Sequence, residues 1–201
     1  MKNSLKILLL CVVALALAST GKATVETYNI DPVHSSVGFT IRHLVGRVPG
    51  RFTKFSGAIT VDRDNLENSS VSAVIDAGSV DTDNDKRNGH LKTADFFDAA
   101  TYSTITFKST SWKKTGDGTF DVTGDLTIKN VTKPVVLKVT LNGFGPGMKG
   151  TMESGWEATT TLNRTDFGVN GPAMLGTMLG NDVAVDILIE ADIATAADAA
   201  K

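Results

Sequence analysis

The sequence predicts an all-β protein, an eight-stranded antiparallel β-barrel with a short helical insertion. Three observations carry that expectation. Apolar and polar residues alternate with a period of two, the mark of strands with one buried face, in eight separate segments. Turn-rich stretches such as Asp62-Arg63-Asp64-Asn65, Thr115-Gly116-Asp117-Gly118 and Asn142-Gly143-Phe144-Gly145-Pro146-Gly147 separate them. Several segments run to about 10 to 12 residues, roughly 33 to 40 Å at 3.3 Å per residue, which exceeds the usual strand. Eight half-apolar strands must pack as a sandwich or close on themselves. Long, consecutive, evenly alternating ones favour an up-and-down barrel, which has no edges.

Along the chain, Lys2 and Lys6 lead into an unbroken apolar run from Ile7 to Ala18. This is the layout of a secretory signal peptide, and the run of about 12 residues falls short of the roughly 20 that span a bilayer. Cleavage is expected after Ala23, where alternation begins, in preference to Ala18. Residues 1–23 are then the signal and 24–201 a single domain with an Ala-rich tail from about residue 195. The first alternating segment carries Val37, Phe39 and Ile41, with His43 in the same phase, and the second Phe55, Gly57, Ile59 and Val61. Val71, Ala73 and Ile75 form the third, Ile105 and Phe107 the fourth, and Phe120, Val122, Gly124, Leu126 and Ile128 the fifth. Val135, Leu137, Val139 and Leu141 make the sixth. The last two read as the longest, with Met152, Trp156, Ala158 and Leu162, then Val183, Val185, Ile187, Ile189 and Ile193.

Two stretches break the pattern. Residues 83–98 open on a helix-capping Asp83 or Asn84 and read as a short helix and turn. Residues 165–181 are glycine-rich yet hold Phe167, Val169, Met174, Leu175, Met178 and Leu179. So apolar a loop should fold back on the barrel mouth.

Composition excludes several functions. Removal of the signal takes three lysines and no acid from 20 basic against 22 acidic residues, which leaves 17 against 22, a net charge of −5. An acidic domain is a poor match for nucleic acid or an anionic membrane surface. The single cysteine, Cys11, lies in the signal, so no thiol or disulfide is expected in the mature chain. No Gly-x-Ser-x-Gly elbow, phosphate loop or dinucleotide fingerprint is present. Asp81, Asp83 and Asp85 mimic the start of a calcium loop, but Lys86 stands where glycine is needed and Lys92 where a bidentate glutamate is needed. The histidines His34, His43 and His90 have no metal-ligand spacing. Neither metal nor cofactor is expected.

A closed barrel of eight strands is just wide enough to be filled by its own side chains or to hold one small ligand. The inward phase nominates Phe39, Ile41, Phe55, Ile59, Phe107, Leu126, Leu137, Trp156 and Ile187 as the wall of such an interior. An inward His43 needs a hydrogen-bond partner. With Arg42, Arg87, His90 and Lys92 it forms a candidate polar collar for an anionic or carbonyl headgroup; ordinary surface charge is the competing reading.

Four strings occur in order: Asp31-Pro-Val-His-Ser-Ser-Val-Gly-Phe-Thr-Ile-Arg-His43, Arg87-Asn-Gly-His-Leu-Lys-Thr-Ala-Asp-Phe-Phe-Asp98, Leu126-Thr-Ile-Lys-Asn-Val-Thr-Lys-Pro-Val135 and Asn163-Arg-Thr-Asp-Phe-Gly168. Together they resemble the YceI-like family over essentially the whole mature chain. The resemblance implies a lipocalin-like barrel in the bacterial periplasm, binding a polyisoprenoid or other long amphiphile in its interior, with no enzyme activity. Asn130 stands where glycine is expected, at a turn position that asks for positive φ. The expected function is transport, storage or sequestration of a long-chain isoprenoid, a quinone or a prenyl phosphate among them, with a membrane as donor or acceptor. Residues 83–98 and 165–181 would gate it. Two other readings stand beside it: a stress-protective or partner-binding module with a filled barrel, and an isoprenoid-modifying enzyme using His43 as acid or base. Oligomeric state is open.

Overall fold

A computed structural model describes residues 24–147 and 150–195; the expected signal peptide and the end of the Ala-rich tail lie outside the described residues. The strands are β1 (Val25–Ile30), β2 (Ser36–His43), β3 (Gly46–Phe52), β4 (Phe55–Asp62), β5 (Ser70–Asp76), β6 (Val80–Asp81), β7 (Thr104–Gly116), β8 (Thr119–Ile128), β9 (Val131–Pro146), β10 (Met152–Asn163) and β11 (Leu179–Ile193). All pairings are antiparallel.

These eleven pieces make eight barrel strands, because three neighbours are each bent in two. β1 runs on into β2, β3 into β4 and β5 into β6. At the bends β1 pairs with β4 as β2 does with β3, and β4 pairs with β5 as β3 does with β6. β7 to β11 follow as a meander, and β11 closes the barrel by pairing with β2 through residues 179–188 and with β1 through residues 191–193. The expected eight-stranded antiparallel barrel is the fold that forms.

Chemistry explains the bends. Asp31-Pro32-Val33-His34-Ser35 lifts off the ladder, and its polar groups rejoin β11 by other means. The Asp31 N–H donates to the Glu190 carbonyl (2.9 Å), the Ser35 hydroxyl donates to the same carbonyl (3.1 Å), and the Glu190 N–H donates to Ser35 Oγ (3.0 Å). In the neighbouring bends the Thr53 N–H reaches the Ser79 carbonyl and the Lys54 N–H reaches Ser79 Oγ. No buried backbone group needs to be left open there.

Three elements differ from expectation. β3 escaped notice because Gly46, Pro49 and Gly50 interrupt its alternation; Pro49 is tolerated since β6 pairs only with residues 51 and 52 on that side. β9 and β11, of 16 and 15 residues, are the longest strands, whereas β10 has 12. β9 runs through the glycine-rich stretch 142–146, where β10 residues 152–155 complete its ladder and override turn propensity. The shift of register at Gly155/Trp156 explains why Met152, in phase with Trp156, is exposed. In the β8–β9 turn Lys129, not Asn130, takes positive φ (57°), so the expectation placed on Asn130 is corrected. The insertion forms as expected, with helix α1 (Asp85–Leu91) capped by the Asn84 side chain, which accepts from the Arg87 N–H.

The interior has two clusters. At the end bearing the β7–β8 and β9–β10 hairpins, Tyr28, Val61, Trp112, Phe120, Val122 and Trp156 pack together. At the end bearing α1 and residues 164–178, Val37, Phe52, Val80, Phe96, Ile105, Phe167 and Val169 form the second.

His34 tests the first bend. Its Nδ1 lies 2.7 Å from Asp31 Oδ2 and 3.6 Å from Glu190 Oε1. The hydrogen bond to Asp31 and its charge, helped by Glu190 and Glu153, raise the His34 pKa above its ordinary 6.5. The same hydrogen bond, with that from the Val33 N–H, lowers Asp31 below 3.8. The His34 contribution is complete below pH 6.5 and is lost as pH rises through the raised value; that of Asp31 is present above 3.8 and is lost as pH falls through the lowered one. Urea midpoints of the wild type should therefore fall between pH 5.5 and 8.5 by more than those of His34→Gln. Because the pair is exposed, the difference should shrink in high salt.

Candidate functional site: an apolar cavity with a cationic mouth

Between the two clusters the barrel encloses a cavity of about 460 Å³, within the range of sites that take small organic ligands. Its wall comes from the inward phase of almost every strand. Phe39 and Ile41 stand on β2, Phe55 and Ile59 on β4, Phe107 on β7, Leu126 on β8, Leu137 on β9, Trp156 on β10 and Ile187 on β11. All nine wall residues nominated by sequence thus line one space. Most are only partly buried, since they face a void instead of neighbouring side chains.

Glycine keeps the void open. A Cβ at Gly50 would lie 2.3 Å from Phe39 Cζ, so the Phe39 ring lies flat on the glycine directly across the ladder. Phe107 lies diagonally over Gly124 of the neighbouring strand, with its Cζ 2.4 Å from where a Cβ would be. Each ring covers wall where a β-substituent would push it into the lumen.

The floor is aromatic. Trp112 and Trp156 meet edge to face at 5.6 Å; Phe120 packs on Trp112 at 5.8 Å and Phe144 on Trp156 at 5.9 Å. Beneath them Tyr28 packs on Phe144, and the Arg63 guanidinium covers the Phe144 ring at 3.7 Å while its Nη1 donates to the Tyr28 hydroxyl. Burial, and then the hydrogen bond to Glu26, raise the Tyr28 pKa above its ordinary value.

The opposite end is polar, with two guanidinium groups in its lining. The ionisable groups among the lining residues are His43, Arg87, His90 and Arg164. Arg87 donates from Nε to Thr82 Oγ1 and from Nη2 to the Thr82 carbonyl, both at 2.7 Å, so neutral acceptors orient it without cancelling its charge. His90 Nε2 pairs with Asp95 Oδ2 at 2.8 Å and its ring stands edge-on to Phe96. Arg164, missed by the sequence reading although it lies in the quoted Asn163–Gly168 string, donates to the carbonyls of Gly180, Val169 and Asn170 and to Asn181 Oδ1. Its burial lowers its pKa.

His43 lines the cavity at its exposed rim, where β2 leaves the barrel for the Leu44-Val45 hairpin. Two other collar expectations are corrected. Arg42 turns away, to the carbonyls of Leu44 and Thr177, and Lys92 is an exposed helix cap; neither lines the cavity. The two β-breaking segments do meet over the opening: the Gly171 N–H donates to the Asp95 carbonyl at 2.8 Å, and Leu91, Phe96, Phe97, Phe167, Val169 and Leu175 all line the upper wall. Their apolar spacing on irregular backbone was legible, but their mutual contact was not. The Asp81 carboxylate is engaged by Arg51, the Asp83 N–H and Asn88, which accounts for the acidic loop structurally.

A model of the YceI-like domain matches residues 28–191. The chain belongs to the YceI-like family. A UPF0312 protein of Pseudomonas putida is 41% identical over 174 residues, which cover 85% of this chain and 91% of that protein. Among solved structures, BcnA of Burkholderia cenocepacia superposes with a TM-score of 0.74 at 26% identity, over 83% of this chain and 99% of its own. The YceI protein of Campylobacter jejuni gives 0.68 at 29% identity, over 77% and 90%. A polyisoprenoid-binding domain of Saccharophagus degradans gives 0.66 at 19% identity, over 83% and 98%, a likeness of fold. The chain thus shares the YceI-like barrel with these proteins, and its own barrel has an open interior.

Gly50→Ala should leave the far-ultraviolet spectrum unchanged and displace the Phe39 ring into the lumen. Uptake of an apolar fluorophore such as N-phenyl-1-naphthylamine should weaken several-fold, and equal uptake would show that Phe39 does not govern the open volume.

Proposed function

We propose that this protein is exported to the periplasm and carries a long-chain isoprenoid lipid in its barrel, for transport, storage or sequestration, without chemically changing it. The observation that supports this best is the cavity itself, apolar along its wall, closed by an aromatic floor and positive at its mouth. The fold is shared with a domain described as polyisoprenoid-binding, and the relatives named above belong to the same family of barrels.

Burial supplies the affinity. Each methylene withdrawn from water contributes about 0.8 kcal/mol, so a twenty-carbon chain carries a gross driving force of roughly 16 kcal/mol before ordering and competing membrane solubility are subtracted. The cationic mouth of Arg87 and Arg164, in a mature chain of net negative charge, suits an anionic or carbonyl group there. A filled barrel would leave no such volume. An acid–base role for His43 is disfavoured by its place at the rim, away from the depth where a guest is covered.

The rim also supports a membrane as donor or acceptor. Leu44, Val45 and Met178 are exposed, and the Leu44 N–H bonds to the Met178 carbonyl at 2.7 Å, so the β2–β3 hairpin and the end of the 173–178 segment present apolar side chains together beside the opening.

Protein purified without detergent should release an isoprenoid on organic extraction, visible by mass spectrometry; recovery of none would sink the carrier reading. Ile41→Trp should fold normally and lose lipid uptake by tenfold or more, whereas loss of folding would mark a packed core. The double substitution Leu44→Asp with Val45→Asp should slow lipid exchange with vesicles several-fold while leaving affinity for detergent-dispersed lipid unchanged.

A further inference from the structure

The β2–β3 hairpin turns on residues that are unusual for a loop in water. His43 and Gly46 close it across the ladder, so Leu44 and Val45 are the whole turn. Two-residue turns favour glycine, asparagine or aspartate, because positive φ costs those residues little. Here the first position, at a φ of 52°, is Leu44, and the second is the β-branched Val45. Leu44 is half exposed and Val45 fully exposed, so burial within the protein accounts for neither choice. Met178, exposed as well, stands beside them, its carbonyl accepting from the Leu44 N–H.

Positive charge sits just behind this tip. Arg42 and Arg47 are directly opposed across the hairpin, a like-charge pair that is unfavourable by itself. Among the described residues neither stands in an ion pair. Arg42 donates from Nη1 to the Leu44 carbonyl at 2.9 Å and from Nη2 to the Thr177 carbonyl at 3.2 Å, neutral acceptors that orient the guanidinium and leave its charge uncancelled. The next opposed pair, Ile41 and Val48, lines the cavity. Successive levels of one hairpin thus carry an apolar tip, two cations and the start of the cavity wall. At about 3.3 Å per residue the arginines stand roughly 7 Å behind the tip, which matches the 5 to 10 Å or so to which interfacial elements sink between headgroups and acyl chains.

We propose that the β2–β3 hairpin docks the protein on an anionic phospholipid surface, with Leu44, Val45 and Met178 entering the boundary below the headgroups while Arg42 and Arg47 meet lipid phosphates. This rests on the reading above that a membrane is donor or acceptor, and adds the element that touches it and the class of lipid it selects. The opposed arginines decide between occupants. Anions relieve their repulsion, whereas a second copy of this chain would bring two more arginines against them. A turn of two aliphatic residues is also far smaller than the roughly 800 Å² per partner of a stable protein interface. The net charge of −5 on the mature chain disfavours other orientations on an anionic surface, so the acidic balance that speaks against such a partner for the chain as a whole here turns the hairpin, and with it the cavity mouth, toward the lipid.

The mature chain has no cysteine of its own, so a single label reports one position. Val45→Cys carries an environment-sensitive NBD fluorophore, and Leu188→Cys, exposed on β11 opposite Ser36 and far along β2 from the hairpin, carries the same label as a control. Vesicles of phosphatidylcholine with 30% phosphatidylglycerol should brighten and blue-shift the label at residue 45 and leave that at 188 unchanged. Vesicles of phosphatidylcholine alone should do neither, and 0.5 M salt should reverse the response. In flotation assays on the unlabelled protein, Arg47→Gln, whose side chain makes no hydrogen bond or ion pair in the protein, should weaken vesicle binding about fivefold, and Arg42→Gln with Arg47→Gln by tenfold or more. Melting temperatures and uptake of N-phenyl-1-naphthylamine should stay as in the wild type. Equal response to the two kinds of vesicle, or binding unaffected by the arginine substitutions, overturns the anionic class and leaves the membrane reading in place. A label at 188 that responds as strongly as that at 45 overturns the hairpin as the docking element. Brightening at residue 45 that grows with protein concentration in the absence of vesicles shows a second copy covering the tip and overturns the proposal. If neither vesicle is bound, the membrane reading falls with it, while lipid extraction tests the carrier reading separately.

Discussion

The closure of β11 on both halves of a bent first strand is the constraint on which the rest of this structure depends. A straight β1–β2 strand would pair along β11 without interruption; instead residues 31–35 leave the ladder and return, and Glu190 bridges the gap through its backbone N–H and carbonyl. The two strands that follow must bend at the same level, and Ser79 joins them by binding both Thr53 and Lys54. One set of eight strands then serves two regimes of packing: below the bends side chains interlock around Tyr28 and Trp156, and above them they line a space.

Keeping that space open is a matter of where bulk is allowed. Close packing is the default for a barrel of this size, and the aromatic content would suffice to fill much of it. Phenylalanines laid over glycines across the ladder, Phe39 on Gly50 and Phe107 on Gly124, cover the wall without occupying the centre. Below, the stack of Tyr28, Phe144, Trp156, Trp112 and Phe120 concentrates the large groups in one plug, held from outside by Arg63. A guest supplies the contacts that the wall residues otherwise lack, so occupancy and stability are linked.

The two ends of the cavity differ in what they ask of a ligand. At the mouth, Arg87 and Arg164 are oriented by hydroxyl, carbonyl and amide oxygens, so their positive charge is held in place but left available. At the floor there is aromatic surface without charge. The proposed amphiphile would meet fixed positive charge at the mouth and apolar aromatic surface at the floor, with an apolar wall between.

The sequence by itself determined the barrel and its inner face. Period-two alternation is a local property, set by the pleat, and it placed Phe39, Phe55, Phe107, Leu126, Leu137 and Ile187 on one surface whatever the strands' final neighbours. It also marked the two segments that could not be strands. Only the tertiary structure decided what depends on partners distant in sequence: that β3 is a strand despite Pro49 and Gly50, that β9 extends through a run of glycines because β10 completes its ladder, and that Lys129 takes the strained turn position. The same holds for the site. Trp112 lies in no legible alternation of its own, and its place beside Trp156 follows from the stagger of β7 to β10, which no local pattern encodes. Alternation fixes which way a side chain points; how far along the barrel it sits, and whether it meets a partner or a void there, is settled only by closure.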